Sequence, residues 1–197
     1  MLRKLIVFLL LFNLSFLFYT KDDLTKKVKV KISSIKPFKV FFNLKVIDEG
    51  DIVSEENGYI IYSDEEHLKW VYLKPSLKIW VLKNNRYEFY EKDEAQLTRG
   101  FLKDKKRIWL WRIFHTNYDN SVKSDKKKRI IFFNESESGI NFKIELKKNF
   151  LPDKVIQTDP TGVLIEYKFG KYLFKIDLKK DEFEIKYEKG TDIVETE

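Results

Sequence analysis

From Pro37 onward, apolar and polar residues alternate along the chain. Phe38, Val40, Phe42, Leu44 and Val46 stand two residues apart, with Lys39, Asn43 and Lys45 between them. Side chains change face at every residue of a strand, so this spacing predicts a half-buried strand. Asp48-Glu49-Gly50-Asp51 reads as a turn, and strands follow at about 52–63, 67–74, 77–83 and 86–91. The links between them are short and polar, as in Lys83-Asn84-Asn85-Arg86, which makes the segment an antiparallel meander. The period then changes. Phe101-Leu102 and Ile108-Trp109-Leu110-Trp111-Arg112-Ile113-Phe114 are apolar on nearly every side, so one or two helices are expected over about 94–116. A helix apolar all round has to be covered on more than one side. Lys123-Ser124-Asp125-Lys126-Lys127-Lys128 reads as a solvated loop, and strands resume at about 129–134, 140–147, 154–158, 162–169, 172–178 and 182–188.

Residues 21–36 fit two patterns. A helix capped by Asp22 or Asp23 would place Leu24, Val28, Ile32 and Ile35 on one face, whereas Lys27-Val28-Lys29-Val30-Lys31-Ile32 alternates as a strand does. A sheet of about ten or eleven strands tends to curl or close. The expected fold is therefore mainly β with helices (α+β): an unclosed, strongly curled antiparallel β-barrel with helices on its concave side. Neither an internal repeat nor a second domain is evident, so residues 21–197 read as a single domain.

The start of the chain has a different character. Arg3 and Lys4 precede an apolar run over 5–18, shorter than the roughly 20 residues of a spanning helix and of the size of a signal-peptide core. Residues 1–20 are thus expected to be a signal peptide. Phe18-Tyr19-Thr20 is a poor cleavage site, which leaves an uncleaved N-terminal anchor as the alternative. Either way the positive start stays cytoplasmic and the body lies outside the inner membrane, in the periplasm.

Composition narrows the chemistry. The 197 residues include 17 Phe, 10 Tyr and 4 Trp but only 7 Gly and 4 Pro, against disorder or a linker-rich architecture. Without cysteine there is no disulfide, no thiol nucleophile, no thiolate metal site and no lipid-modified N-terminal Cys. The net charge of +7 is spread among 31 acidic residues, so the lysines read as the wet faces of elements and not as a nucleic-acid footprint. His67 and His115 are the only histidines, and His67 with Glu65 and Glu66 makes no metal-ligand spacing. With no phosphate loop and no nucleophile elbow, no catalytic residue, metal or cofactor is expected.

The most particular stretch is Gly58 to Phe101. It contains Gly58, Trp70-Val71-Tyr72-Leu73-Lys74-Pro75, Ile79-Trp80-Val81-Leu82, the polar turn 83–86, the aromatic strand 87–90 and Gln96-Leu97-Thr98. Phe183-Glu184-Ile185 followed by Gly190-Thr191-Asp192-Ile193-Val194 looks like a closing strand and tail. In these motifs the chain resembles the periplasmic carriers of outer-membrane lipoproteins, LolA-like and LolB-like, which share an open β-barrel with a helical lid. It departs from them at Asp64-Glu65, where they often carry Arg-Pro, and at Asn84-Asn85, where they carry Asp-Gly. The first departure implies a lid held by other contacts or held less tightly.

The resemblance implies a carrier that buries the acyl chains of lipoproteins, or lipids, in an apolar cavity and ferries them from inner to outer membrane. Its partners would be an inner-membrane donor complex and an outer-membrane acceptor, with no nucleic acid, and it would act as a monomer. The expected cavity wall is Phe42, Leu44, Leu68, Trp70, Tyr72, Tyr87 and Phe89. The expected lid is Ile108, Trp109, Leu110, Trp111 and Phe114. Periodicity leaves open which strand faces line the cavity, and the resemblance favours the Trp70 face. The rival reading is a membrane-anchored envelope sensor or binding module on the same fold.

Overall fold

The computed structural model describes residues 23–64, 66–102, 123–135 and 138–196. The leader and the expected lid residues Ile108, Trp109, Leu110, Trp111 and Phe114 lie outside the described residues.

Among the described residues, the helix α1 (Asp23–Ile35) precedes the strands. Of the two patterns at 21–36, the helical one is realised. Leu24, Val28, Ile32 and Ile35 are buried, whereas Val30, which a strand would place beside Val28 and Ile32, is 62% exposed. The i, i+4, i+8 and i+11 spacing makes one stripe of a helix, and covering the sheet with it buries four large side chains at once. Pro37 disfavours helical backbone at Lys36 and stops the helix there.

The first meander comprises β1 (Phe38–Asp48), β2 (Asp51–Asp64), β3 (His67–Lys74), β4 (Lys78–Lys83), β5 (Arg86–Glu91) and β6 (Gln96–Phe101). The second comprises β7 (Lys123–Asp125), β8 (Ile130–Glu135), β9 (Ile140–Leu146), β10 (Pro152–Thr158) and β11 (Leu164–Phe174), and β12 (Asp192–Glu195) ends the chain. They form one 12-stranded sheet in the order β12-β6-β5-β4-β3-β2-β1-β11-β10-β9-β8-β7. The two meanders are joined by the antiparallel pairing of β1 with β11, from Phe38 opposite Phe174 to Ile47 opposite Leu164. The sheet is open and curled, with the helix against one face. Asn84 and Asn85 both adopt positive φ, 51° and 65°, so the pair performs the tight turn expected of Asp-Gly.

Four sequence expectations are corrected. Gln96–Phe101 is a strand and not the start of a helix; it completes a ladder on β5 and buries Leu97. Lys123–Asp125 is a short strand on β8 and not a loop. The segments 162–169 and 172–178 form one long strand that runs through Gly170 and ends at Phe174. Residues 182–188, with the supposed closing strand Phe183-Glu184-Ile185, make no strand. They cross the outer face of β3–β6 as a strap. Phe183 and Ile185 pack there on Val81, Tyr90 and Leu97, while Lys69 Nζ donates to the Glu182 carbonyl at 2.7 Å. The apolar alternation of the strap is real, but it serves to cover a face and not to pair an edge. The edge of β6 is taken by β12, in the one parallel pairing among the described strands.

Candidate functional site

The register of the strands settles which face each wall residue occupies. Directly opposed residues in an antiparallel sheet share a face. One row runs Val40, Ile60, Trp70, Trp80, Phe89 and Thr98. The next runs Phe38, Tyr62, Leu68, Leu82, Tyr87 and Gly100. A third runs Phe169, Phe42, Gly58, Tyr72 and Lys78. In a fourth, Val155, Tyr167, Leu44 and Glu56 are neighbours. Phe42, Leu44, Leu68, Trp70, Tyr72, Tyr87 and Phe89 therefore all lie on one face of the sheet, the face that carries α1.

They divide into two groups. Phe42, Leu44, Leu68 and Trp70 are fully enclosed and pack, with Tyr72 at their margin, into the cluster that includes Leu24, Val28, Ile32 and Ile35 of α1. Tyr87 and Phe89 are half-buried further along the face, and Tyr87 Oη lies 2.6 Å from Thr196 Oγ1 beside the β6 edge. Phe42 is the centre of the first group. Its ring meets Trp70 edge-on at 5.9 Å and Tyr72 edge-on at 5.4 Å, and Tyr167 lies 5.7 Å away. Trp70 stacks on Tyr72 with 13° between the planes. Gly58 makes room for this gathering. A Cβ there would collide with the Val71 carbonyl oxygen and come within 3.0 Å of Phe42 Cζ.

The face is apolar until its end near β2 and β4. There Lys78 Nζ and Glu56 Oε1 form an ion pair at 3.2 Å, and their side chains are 31% and 15% exposed. The phenol oxygens of Tyr72 and Tyr167 lie 3.5 Å apart beside that pair. Burial pushes Tyr72 up to about 12, and the nearby Glu56 charge adds to the effect against the hydrogen bond from Tyr167. Burial likewise holds Tyr167 well above an ordinary phenol, reinforced by Tyr72 and Glu56. Both groups stay neutral and serve as hydrogen-bonding ends on large apolar bodies. A cleft of about 500 Å³ opens at this end, lined by Leu44, Glu56, Asn57, Lys74 and Pro75.

The larger depression, about 560 Å³, is on the opposite face between the strap and β4–β6, lined by Lys83, Arg86, Arg99, Phe183 and Tyr187 among others. Its cations are matched by acids: Arg99 with Glu88 at 2.9 Å, Arg86 with Glu195 at 3.7 Å and Lys83 with Glu184 at 3.8 Å. His67 is also on this side, its Nδ1 2.8 Å from Asp64 Oδ1 and its ring 5.2 Å from that of Phe183. Burial would raise Asp64, but the Glu66 backbone N–H and the His67 ring together hold its carboxyl below the usual range. Among the described residues no group of three or more His, Asp or Glu is placed to hold a metal ion. Nor is any helix there long and apolar enough to cross a membrane.

The sequence reading overlooked Tyr167 and Phe169, which contribute the β11 part of the face. Their signal was present, since they alternate with Glu166 and Lys168 as Phe42 and Leu44 do with Asn43 and Lys45. The Glu56–Lys78 pair had no local signal, because the partners stand 22 positions apart and are brought together only by the register of β2, β3 and β4.

No protein-family model matches the chain, and no curated protein matches it. Solved structures do. A conserved uncharacterized protein from Thermus thermophilus aligns over 87% of this chain and 98% of its own, at 14% identity and a TM-score of 0.55. This is a shared fold. A LolA superfamily protein from Nitrosomonas europaea aligns over 81% of this chain and 96% of its own, at 10% identity and a TM-score of 0.48. A putative outer membrane lipoprotein-sorting domain from Vibrio parahaemolyticus aligns over 81% and 95%, at 9% identity and a TM-score of 0.46. The sheet is open and curled with a helix on its apolar face, as the sequence led one to expect.

Proposed function

We propose that this protein is a carrier of the cell envelope, which takes the acyl chains of lipoproteins, or of lipids, onto the α1 side of its sheet and ferries them from the inner to the outer membrane. The observation that supports this reading is the continuous apolar face itself. Side chains from both meanders and from α1 form one cluster with aromatic rings at its centre. Transferring an acyl chain from water is favourable by about 0.8 kcal/mol per CH₂, and large rings supply contact area with little rotamer entropy to lose. Such contacts are non-directional, so a load held by them can be handed on without breaking a specific bond. The face is closed over in this state, and loading requires α1 or another cover to yield. The donor would be an inner-membrane complex and the acceptor an outer-membrane protein, each meeting the open margin of the sheet.

The test is quenching of tryptophan fluorescence by a lipopeptide whose fatty-acyl chains carry bromine. Saturable quenching is expected, since Trp70 and Trp80 are opposed on this face, and Trp70→Glu should abolish it by placing an unpaired charge in the apolar wall. Circular dichroism checks that the variant is folded, and Phe89→Glu, at a half-buried position of the same face, is the second variant. Absence of quenching in the unaltered protein would overturn the reading. So would acyl binding undiminished in both folded variants. Native mass spectrometry of protein released gently from the periplasm separates a shuttle, found free with bound lipid, from an anchored sensor, found in membranes with residues 1–20 intact.

A further inference from the structure

The outward side of α1 was left unused by the acyl-binding reading, and it has a composition of its own. No Asp or Glu occurs between Asp23 and Asp48, while Lys26, Lys27, Lys29, Lys31 and Lys36 fall on or just beyond the helix. The buried stripe through Leu24, Val28, Ile32 and Ile35 fixes its orientation. At 100° per residue, Lys26 and Val30 point away from the sheet, Lys29 and Lys36 lie on one flank, and Lys27 and Lys31 lie on the other. Lys26, Lys27, Lys29 and Lys36 are exposed, and Val30 stands uncovered among them. On the Lys27 flank the ammonium groups lie over aromatic rings, Lys27 over Phe150 at 5.6 Å and Lys31 over Phe174 at 5.8 Å. Phe174 is itself 45% exposed.

We infer that this side of α1, with Val30 and the Phe174 ring, is a docking surface for an anionic lipid bilayer. The pairing is one of charge and polarity. A cluster of lysines without interspersed acids is attracted to a negatively charged headgroup layer, and aliphatic lysine stems, a valine and an exposed aromatic edge suit the boundary below it. The ion-pair ladders on the remainder of the sheet lack this imbalance, as in Lys45–Glu55, Lys154–Glu166 and Lys168–Asp153. The consequence is orientation. The helix that covers the apolar face would be the element that touches the membrane, so its displacement there would open the face toward the bilayer. The docking surface itself does not depend on what fills that face.

The absence of native cysteine allows a single reporter. Ser33 is exposed on the outward side of α1, and Lys180 is exposed near the strap on the opposite face. Full-length Ser33→Cys and Lys180→Cys proteins, each labelled with an environment-sensitive dye, are mixed with vesicles of phosphatidylcholine alone or with 30% phosphatidylglycerol, with no acyl cargo added. An apolar leader would bind both kinds of vesicle, so the readout is the dye and not the bound fraction. A several-fold rise in emission is expected at position 33 with phosphatidylglycerol only. It should be lost in 0.5 M NaCl and weakened about tenfold in midpoint lipid concentration by Lys26→Gln, Lys29→Gln and Lys31→Gln combined. An equal rise with phosphatidylcholine, an equal rise at position 180, or no effect of the combined substitutions would overturn the inference. So would a response to polyglutamate with none to vesicles, which would assign the surface to an acidic protein. Loss of acyl-chain quenching with this response intact would defeat the carrier reading alone.

Discussion

At Gly58 the side chain that is missing shapes the site. The Phe42 ring lies where a substituent would stand, and the Val71 carbonyl closes the other direction. Gly58→Ala must therefore push β3 away or displace the ring, and overpacking of this kind costs about 1–3 kcal/mol. Urea unfolding should show that loss in midpoint with little change in slope. The buried phenols set a second residue-scale expectation. Tyr72 is pushed up to about 12 and Tyr167 and Tyr172 well above an ordinary phenol, chiefly by burial. Unfolded, each loses its proton near 10. Between those values the folded state holds more protons than the unfolded one, so this contribution to stability is complete below about pH 10 and falls as pH rises toward 12. Urea midpoints measured from pH 8 to pH 11.5 should be flat and then drop, and Tyr72→Phe should drop less. A midpoint that rose across that range would contradict the burial of these groups.

Among the elements, α1 and the strap do corresponding work on opposite faces. α1 covers the apolar side through one stripe, so the two β-branched residues Val30 and Ile32 should respond differently to truncation. Ile32→Ala removes a side chain that is 1% exposed and should cost about 2–4 kcal/mol, whereas Val30→Ala should fall within about 0.5 kcal/mol of the parent. Equal effects would restore the strand reading of this segment. The strap is held by Phe183 and Ile185 over Val81, Tyr90 and Leu97, together with Lys69 to the Glu182 carbonyl at 2.7 Å. Ile185→Ala should destabilise the protein by roughly 2 kcal/mol or more. By hydrogen exchange, the loss of protection should be centred on β4–β6, which the strap covers.

For the whole molecule, the decisive pairing is β1 with β11. It is the only seam between the two meanders among the described strands, and the apolar cluster crosses it through Phe42, Leu44, Tyr167 and Phe169. A cavity at the seam should therefore weaken both sides together. Phe42→Ala is expected to cost about 3–5 kcal/mol and to lower amide protection in β3 and in β10 alike. Protection lost on one side alone would mean that the meanders are stabilised independently. Because partners across this seam, such as Phe38 and Phe174, are far apart in sequence, its closure has to wait for both meanders and should be the slow step of folding.

The sequence by itself determined what depends on near neighbours. The period-two alternation of β1 to β5 and the positive-φ turn at Asn84-Asn85 were legible there, as was the aromatic set Phe42, Trp70, Tyr72 and Phe89. Local geometry alone fixes such features, since strand periodicity and turn conformation are decided within a few residues. Tertiary structure decided the rest. At 21–36 the same residues satisfied helix and strand equally, and only the sheet surface beneath Val28 and Ile32 selected the helix. At 96–101 the free edge of β5 offered a ladder that an isolated segment lacks. At 183–187 an alternating pattern found a face to cover and no edge to pair. The assembly of the wall on one face, the addition of Tyr167, and the meeting of Glu56 with Lys78 rest on the register of strands far apart in sequence. Periodicity says which residues of a strand share a face. Which face is covered, and by what, is set when the sheet closes around its helix.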